Sequence, residues 1–280
     1  MPLQKNECHI KVTSADTDAV SLLSQQTGLT KQAIKQAMQK GAVWLTHGKQ
    51  TNRLRRGKKA LSPGDELHLY YNTAVLNEQV AEAELLFDEG QYSIWYKPFG
   101  MRCQGSKWSD HTTINRFAET HLTPARSAYI VHRLDLAATG LIVIGHSKKV
   151  TAAIAKLFET RALDKYYQVI VEGQFSPSKL TINTDVDGKA ALSHAHLLQY
   201  NAALNQSKVQ VKIESGRKHQ IRVHMASVGH PVVGDRLHGN GSETTPNLQL
   251  TSCYLNFVCP VTQQNKVFEL PEAYRPQFQL

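Results

Sequence analysis

The stretch that decides the fold reads VHRLDLAATGLIVI and spans residues 131–144. It places the carboxylate of Asp135 close to the guanidinium of Arg133 and then leads into the apolar run from Leu141 to Ile144. Short apolar runs of this kind are typical of buried strands, so we expect a loop that presents Asp135 at the start of a strand. An acid beside an arginine is more often a surface pair that contributes little, and for Asp135 alone that alternative stays open.

A second charged motif, GRKHQIRVHM, follows at residues 216–225. Its charged and apolar residues alternate, which predicts a strand with Ile221 and Val223 in the core and Gln220 and Arg222 on the opposite face. A guanidinium within about 4–6 Å of a carboxylate favours its ionised form. We therefore expect Arg222 to face Asp135, and the two motifs together indicate a carboxylate that acts as a reagent on an anionic substrate.

The composition sets limits on the class of protein. The chain has 280 residues, 41% of them hydrophobic, and a net charge of +9, which predicts one large or two unequal domains and a polyanionic partner, nucleic acid first. No apolar run approaches the roughly 18 residues of a membrane span, and the first residues do not resemble a signal peptide. The four cysteines show no pairing pattern, so we expect reduced thiols. Together with the lack of a membrane span, this predicts a cytoplasmic protein that does not bind membranes.

The positive charge is concentrated at one end of the chain. Residues 1–73 contain 11 Lys and Arg against 5 Asp and Glu, a net of +6 out of the total of +9. This asymmetry predicts a small basic module over residues 1–73, a linker rich in Ala and Glu over 74–84, and a larger, nearly neutral body over 85–280.

The basic module is predicted to contain two helices followed by a small antiparallel sheet. Asp16 or Asp18 can cap the first helix, which Gly28 ends, and Thr30 can cap the second, which stops at Gly41. A charge run is more often a solvated face than a binding site, but here it accompanies a lysine-bearing helix in a compact module, which favours RNA binding. The candidate RNA-binding residues are Lys31, Lys35, Arg53, Arg55, Arg56, Lys58 and Lys59.

The body is predicted to be α+β with a largely antiparallel sheet. A hairpin is expected over residues 85–96, a helix capped by Ser147 over 147–161, a strand over 166–171, and further short strands to residue 270. No phosphate-binding loop, dinucleotide fingerprint or serine-hydrolase elbow occurs in the sequence. His194 and His196 share one face of a strand but have no third ligand at a fixed spacing, so we expect no metal site.

These motifs resemble the RluA family of pseudouridine synthases. The similarity rests on four segments in the same order: His132–Asp135, Lys165-Tyr166-Tyr167, Gly216–His224, and GHPVVGD at residues 229–235. The resemblance implies an α+β pseudouridine synthase fold, with a mostly antiparallel mixed sheet flanked by helices. Four segments, Thr27–Lys31, Gly41–Leu45, His47–Lys49 and Pro63–Leu67, resemble the RNA-binding domain of ribosomal small-subunit protein four, also called the alpha-L domain. This second resemblance covers residues 1–73, although the opening Arg-Leu-Asp of that domain is absent.

The resemblance also implies an activity and the roles of individual residues. Asp135 would be the nucleophile, Arg222 its ion-pair partner, and Tyr167 the residue that stacks on the base and helps to remove the C5 proton. Arg133 would hold the flipped-out position open, and the other implied substrate-binding residues are His132, Lys165, Arg217, His219 and Gln220. The implied reaction isomerises uridine to pseudouridine in ribosomal or transfer RNA without metal or cofactor, and we expect a monomer. Whether Asp135 adds to the ring or assists glycosidic cleavage stays open.

Two other classes of function are possible on the sequence alone. An RNA-binding module that has lost catalysis would be expected to lack the Asp, Tyr or Arg, and all three are present. A hydrolase of a small acidic substrate is supported only by the histidines and Asp135. Tritium release from C5 of labelled uridine, binding without release, or RNA fragmentation would distinguish the three functions.

Overall fold

The computed structural model describes residues 4–14 and 18–279. Their contacts divide the chain into two units, each with a hydrophobic core. The first combines the chain up to Val80 with Gln104–Phe117, and the second combines Ala81–Cys103 with the residues from Ala118 onward. This division differs from the predicted domains, because residues 74–80 and the segment 104–117 both belong to the first unit.

The described strands of the first unit form an antiparallel sheet in the order β1-β4-β2-β3. Its elements are β1 (Lys5–Lys11), α1 (Ala19–Thr27), α2 (Lys31–Gln39), β2 (Val43–His47), β3 (Gln50–Arg53), β4 (Glu66–Asn72) and the single turn α3 (Thr73–Leu76). The carboxylate of Asp18 accepts hydrogen bonds from the first turn of α1, and Thr30 caps α2, as predicted. Asp16 lies outside the described residues. Strand β1 was not predicted from the sequence, and Leu76 of the predicted linker is buried in the core of this unit.

The second unit is built on a large mixed sheet flanked by helices. Its described strands follow the order β10-β11-β12-β9-β13-β8-β6-β5, with β14 paired to β13 and β7 paired to β8. The elements from β5 onward, with α4 running from the first unit into the second, are β5 (Glu84–Asp88), β6 (Tyr92–Lys97), α4 (Ile114–His121), β7 (Tyr129–Ile130), β8 (Thr139–Gly145), α5 (Lys148–Glu159), β9 (Leu163–Glu172), β10 (Leu180–Ile182), β11 (Ser193–Asn201), β12 (Gln206–Ile213), α6 (Gln220–Ser227), β13 (Leu250–Val258) and β14 (Asn265–Glu269). The predicted hairpin, the α5 helix with its Ser147 cap, and the β9 strand are confirmed.

One pair of strands in this sheet is parallel. Thr251 and Ser252 of β13 lie beside Thr139 and Gly140 of β8, directly after the loop that carries Asp135. Gly140 has φ +103, and a Cβ atom at this position would lie 2.2 Å from the carbonyl oxygen of Ser252. The glycine is required here because both the backbone angle and the close approach exclude a side chain. The Asp135 loop therefore leads directly into a position where the two strands approach each other closely.

The prediction of a strand over residues 216–225 is wrong. Residues 220–227 form α6, so Gln220 and Arg222 do not share the face of a strand. The alternating pattern was misleading because polar residues of α6 are buried together with apolar ones, each held by a specific partner. The buried residues of α6 are Gln220, Ile221, Arg222, His224 and Met225. A helix that is buried on several sides has no polar stripe that the sequence could show.

Candidate active site

Asp135 lies in the loop between β7 and β8 of the second unit. Its backbone carbonyl accepts a hydrogen bond from Ala138, at 3.1 Å, in the turn that leads into β8. The carboxylate is about a quarter exposed (24%), whereas that of Asp235 is buried (1%). Of these two acids, only Asp135 can be reached from solvent.

Lys97, at the end of β6, is hydrogen-bonded to the loop that carries Asp135. Its ammonium is fully buried and donates to the carbonyl oxygens of Pro98 at 3.0 Å, Met101 at 2.9 Å and Leu136 at 3.4 Å. Burial lowers the pKa of Lys97 to about 8, although nearby Cys103 and Asp135 oppose the shift. Lys97 was not predicted from the sequence, and the signal that could have revealed it is a lysine directly before Pro98 at a strand end. Lys97 fixes the residue that follows Asp135.

His132 holds the other side of the same loop. Its Nε2 accepts a hydrogen bond from the backbone N–H of Val143 at 3.1 Å, and its ring stacks on Phe158 with the centroids 4.2 Å apart. Burial, together with the charge of Lys165, lowers the pKa of His132 to about 3. The imidazole is therefore neutral at physiological pH. These contacts make His132 a support for the loop. They also occupy Nε2, one of the two ring nitrogens with which His132 could bind a substrate.

The structure brings Arg222 to Asp135. Its Nη1 lies 3.6 Å from Oδ2 of Asp135. The stronger interaction is with Asp235, because Nε and Nη2 of Arg222 donate to the two oxygens of that buried carboxylate at 2.8 and 2.6 Å. Asp235 belongs to the motif at residues 229–235, but no role was predicted for it from the sequence. It orients the guanidinium that faces Asp135.

Opposing influences act on the two ends of this ion pair. Burial favours a raised pKa for Asp235, but the hydrogen bonds from Arg222 and from the backbone N–H groups of Leu237 and His238 lower it to about 2. For Arg222, burial favours a lowered pKa, and the negative charge of Asp235 outweighs it. Both groups are therefore charged over the physiological pH range.

Tyr167 lies on β9, where it is paired with Val211 of β12 and Ser252 of β13. Burial raises the pKa of its phenol, and the carboxylate of Asp135 raises it further. The hydroxyl therefore stays protonated at neutral pH. The ring can still stack on a nucleobase, but no phenolate is available to accept a proton. The influence of Asp135 on Tyr167 also places the two side chains in one electrostatic environment.

His219 joins the site directly before α6. Its Nε2 lies 3.9 Å from Oδ2 of Asp135, and its Nδ1 lies 2.9 Å from Nε2 of His238. Its backbone has φ +57, a left-handed conformation that is uncommon for residues other than glycine. A strained residue beside a reactive group is a frequent feature of functional sites.

The remaining predicted substrate-binding residues have different environments. Gln220 is buried, and its amide is fully used by Ser215, by the backbone of Arg217 and Leu192, and by Ser193. Its contacts do not support a direct role in substrate binding and make it a support for the loop before α6. Lys165 is buried with its ammonium 5.8 Å from the Phe158 ring, whereas Arg133 is exposed.

The predicted RNA-binding residues of the first unit fall into two groups. Arg53 and Arg55 already have partners within the unit, because both form ion pairs with Asp110. Arg53 also stacks over the ring of Trp44 at 4.2 Å. The others are exposed: Lys31, Lys35, Arg56, Lys58 and Lys59. A cleft of about 720 Å³ lies along β2, β3 and the loop after β3, and its lining includes Arg56, Lys58 and Lys59.

Among the described residues, one group places three possible metal ligands close together, and it lies in the first unit. His9, Glu66 and His68 have ligand atoms within 4.8 Å of one another. The Nδ1 atoms of the two histidines are 2.8 Å apart and hydrogen-bond each other, and His68 also contacts Thr46. Both nitrogens of His68 and Nδ1 of His9 therefore have partners within the protein. No helix in the described part of the chain has the length and apolar character to span a membrane.

Comparisons with known proteins agree with this geometry. The family described as RNA pseudouridylate synthase matches residues 91–227. The chain is 30% identical to the RNA pseudouridine synthase YhcT of Bacillus subtilis over 210 residues, which cover 69% of this chain and 70% of that protein. It is 28% identical to the dual-specificity RNA pseudouridine synthase RluA of Salmonella typhimurium, with 68% of this chain and 93% of that protein covered.

A further relative carries the same kind of name, and a solved structure shares the fold. Ribosomal large subunit pseudouridine synthase D of Pseudomonas aeruginosa is 29% identical, with 73% of this chain and 70% of that protein covered. The structure of human RNA pseudouridylate synthase domain containing 1 superposes with a TM-score of 0.59 at 21% identity, covers 72% of this chain and 93% of the human chain, and therefore shows a shared fold. The chain belongs to the RNA pseudouridine synthase family, and its catalytic domain is of the RluA type.

Proposed function

We propose that Asp135 is the nucleophile of this pseudouridine synthase and that Arg222 keeps its charge in place. The observation that carries the proposal is the unequal use of two carboxylates by one guanidinium. Asp235 is buried and has both oxygens occupied by Arg222, whereas Asp135 is partly exposed and contacts the same guanidinium through one oxygen only. Asp135 is therefore the acid with an oxygen available for substrate.

The reaction fits this set of groups. Pseudouridine forms when the N1–C1′ bond breaks, the uracil turns, and C5 joins C1′, so no atom is oxidised or hydrolysed. An ionised carboxylate can add to the ring or assist the cleavage at C1′, and both routes use the position of Asp135. The guanidinium of Arg222 offsets the charge of the Asp135 carboxylate, and the carboxylate oxygens can still accept a proton.

Tyr167 and Arg133 have complementary roles in this proposal. The uncharged ring of Tyr167 stacks on the uracil after the base has left its helix, a step that costs a few kcal/mol. Arg133 is exposed and has no ion-pair partner in the described part of the chain, so it is available to fill the space left by the base and to contact phosphates.

We propose structured RNA as the substrate, with large-subunit ribosomal RNA as the first to test. The support comes from the names of two relatives, the ribosomal large subunit pseudouridine synthases D of Pseudomonas aeruginosa and Zymomonas mobilis. Transfer RNA is the second candidate, as the resemblance to the RluA family implies.

We also propose that the first unit is an RNA-binding domain of the alpha-L type. Support comes from its two capped helices followed by three strands of a small antiparallel sheet, which β1 completes, and from the exposed cations along the cleft after β3. The cations of this cleft would contact phosphates rather than bases, which gives affinity without sequence selectivity.

The test is the replacement of Asp135 by Asn in the full chain. We expect D135N to release no tritium from C5-labelled uridine in RNA while binding that RNA within several-fold of the wild type, because a nucleophile is lost and no phosphate contact is changed. The matched control is Asp185→Asn, an exposed acid between β10 and β11, which should keep full activity. Substantial tritium release by D135N would refute the role of Asp135, and cleaved RNA in the wild-type reaction would indicate a hydrolase.

A further inference from the structure

We infer that His219 and His238 form a proton relay between the Asp135 carboxylate and solvent. The inference rests on the proposed role of Asp135 and extends it, because it identifies how that carboxylate is returned to its reactive state. Neither histidine needs to touch the uracil, so both are positioning residues that act through Asp135.

The geometry of the relay is a chain of two short steps. Nε2 of His219 lies 3.9 Å from Oδ2 of Asp135, and Nδ1 of the same ring lies 2.9 Å from Nε2 of His238. His238 is half-buried, and its Nδ1 has no hydrogen-bond partner within residues 4–14 and 18–279. The first step is longer than a hydrogen bond, but catalytic hydrogen bonds are often long in ligand-free sites and shorten when substrate binds.

The relay and the ion pair share one anchor. Asp235 Oδ1 accepts a hydrogen bond from the backbone N–H of His238 at 3.0 Å, and the same carboxylate holds the guanidinium of Arg222. Both partners of Asp135, the guanidinium and the imidazole of His219, are thus tied to Asp235. The left-handed backbone of His219 turns its ring into this arrangement instead of capping α6, since its side chain makes no capping hydrogen bond.

The proton path balances over one turnover. After C5 has joined C1′, the C5–H bond breaks, its electron pair restores the ring double bond, and the carboxylate of Asp135 accepts the proton. The proton passes to Nε2 of His219 while Nδ1 of that ring gives its proton to Nε2 of His238, which releases one from Nδ1 to water. A reverse shift returns one proton to Asp135 for N1 of the base and resets both rings.

Other groups in the site are less suited to this task. Tyr167 holds its proton because its pKa is raised, and both oxygens of Asp235 are occupied. The charged and titratable groups that face His219 are Asp135, Arg222, His238 and Lys218. Burial lowers the pKa of His219, and all of these groups except Asp135, which raises it, act in the same direction. The net direction is downward, so the ring is neutral at physiological pH and can accept a proton.

The experiment measures tritium release from C5 under single-turnover conditions, with the full chain and a labelled RNA. We expect His238→Ala to slow release about tenfold without a change in RNA affinity, a modest part of what a direct general base contributes. Free imidazole in the buffer should restore most of the rate, because it can enter at the half-exposed position of His238. His196→Gln, a half-buried histidine on β11, is the matched control and should behave as the wild type.

The dependence on pH provides a second readout. The wild-type rate should fall as the pH is lowered through the pKa of His219, because a protonated ring cannot accept the proton from Asp135. His219→Gln keeps a side-chain amide near Asp135 but cannot relay a proton, so its rate should be lower and this fall should disappear.

Three results would overturn the relay. They are a wild-type rate in His238→Ala, a loss that imidazole does not restore, and full activity in His238→Gln, which can hold His219 in place but cannot carry a proton. D135N is measured in the same series: tritium release by that variant refutes the proposed nucleophile whatever the result for His238, so the two failures are distinguishable.

Discussion

At the scale of single residues, the site depends on how Arg222 divides its contacts. Two hydrogen bonds join it to Asp235, and a longer ionic contact joins it to Asp135. The two sequence motifs predicted Asp135 as its main partner. The finding that Asp235 takes that position explains why a buried guanidinium can stand beside a carboxylate that must remain reactive.

Replacing Asp235 by Ala tests this division. The change leaves the Arg222 guanidinium buried with only the distant contact to Asp135 within the described structure, which should lower the free energy of unfolding by about 3–5 kcal/mol. Urea denaturation followed by circular dichroism measures the loss. Asp185→Ala, at an exposed position, should cost almost nothing. Equal effects in the two variants would contradict the importance of the Asp235–Arg222 pair.

His132 should make the stability dependent on pH. Its pKa is lowered from 6.5 to about 3 in the folded protein, so below pH 6.5 the unfolded chain binds a proton that the folded one excludes. The contribution of the neutral ring is complete above pH 6.5 and is lost as the pH falls toward 3. Unfolding measured at several pH values should show a smaller loss in His132→Gln, whose amide oxygen can still accept from Val143. A slope equal to that of the wild type would show that His132 is not buried as described.

At the scale of elements, the junction between β8 and β13 sets the position of the Asp135 loop. Gly140→Ala should be strongly destabilising, because the added Cβ meets the Ser252 carbonyl and the backbone is left-handed. The matched control is Gly188→Ala, which has φ +68 and open space around the Cβ position. The control should lose about 1–2 kcal/mol from the backbone alone, and Gly140→Ala about 1–3 kcal/mol more. Thermal unfolding gives both values, and similar losses would rule out the close approach.

The elements that the sequence predicted are those whose signals are local. Thr30, Gly28 and Ser147 are capping residues that mark helix ends without reference to the rest of the chain. The α6 helix was predicted as a strand because its polar residues are buried by partners far away in sequence, such as Asp235 for Arg222. For the same reason the sequence could indicate Asp135 as a reactive residue but not the roles of Lys97, Asp235 or His238.

At the scale of the whole molecule, the charge that RNA meets differs from the charge counted in the sequence. Arg53 and Arg55 belong to the basic run, but Asp110 from the segment 104–117 pairs with both. Five exposed cations remain from the predicted set: Lys31, Lys35, Arg56, Lys58 and Lys59. Substitution is a better test of these cations than removal of residues 1–73. The segment 104–117 folds as part of the same unit, so the truncation would also remove its packing partners.

The triple variant Arg56→Gln, Lys58→Gln and Lys59→Gln tests the first unit as an RNA-binding domain. If each residue neutralises one phosphate, the slope of log affinity against log salt should become shallower by about 2–3. Binding of the substrate RNA measured at several salt concentrations gives the slope. Lys179→Gln, an exposed lysine of the second unit near β10, is the control for a single charge. An unchanged slope in the triple variant would exclude this cleft as the RNA contact.

The two hydrogen bonds between Arg222 and Asp235 also determine at which step the arginine side chain loses its conformational entropy. A free arginine side chain would have to be immobilised each time RNA arrives, at the expense of affinity. Here that ordering takes place once, as the polypeptide folds, and the cation already points toward Asp135 before any nucleotide enters. The free energy of RNA association therefore remains available for extracting the uridine from its helix.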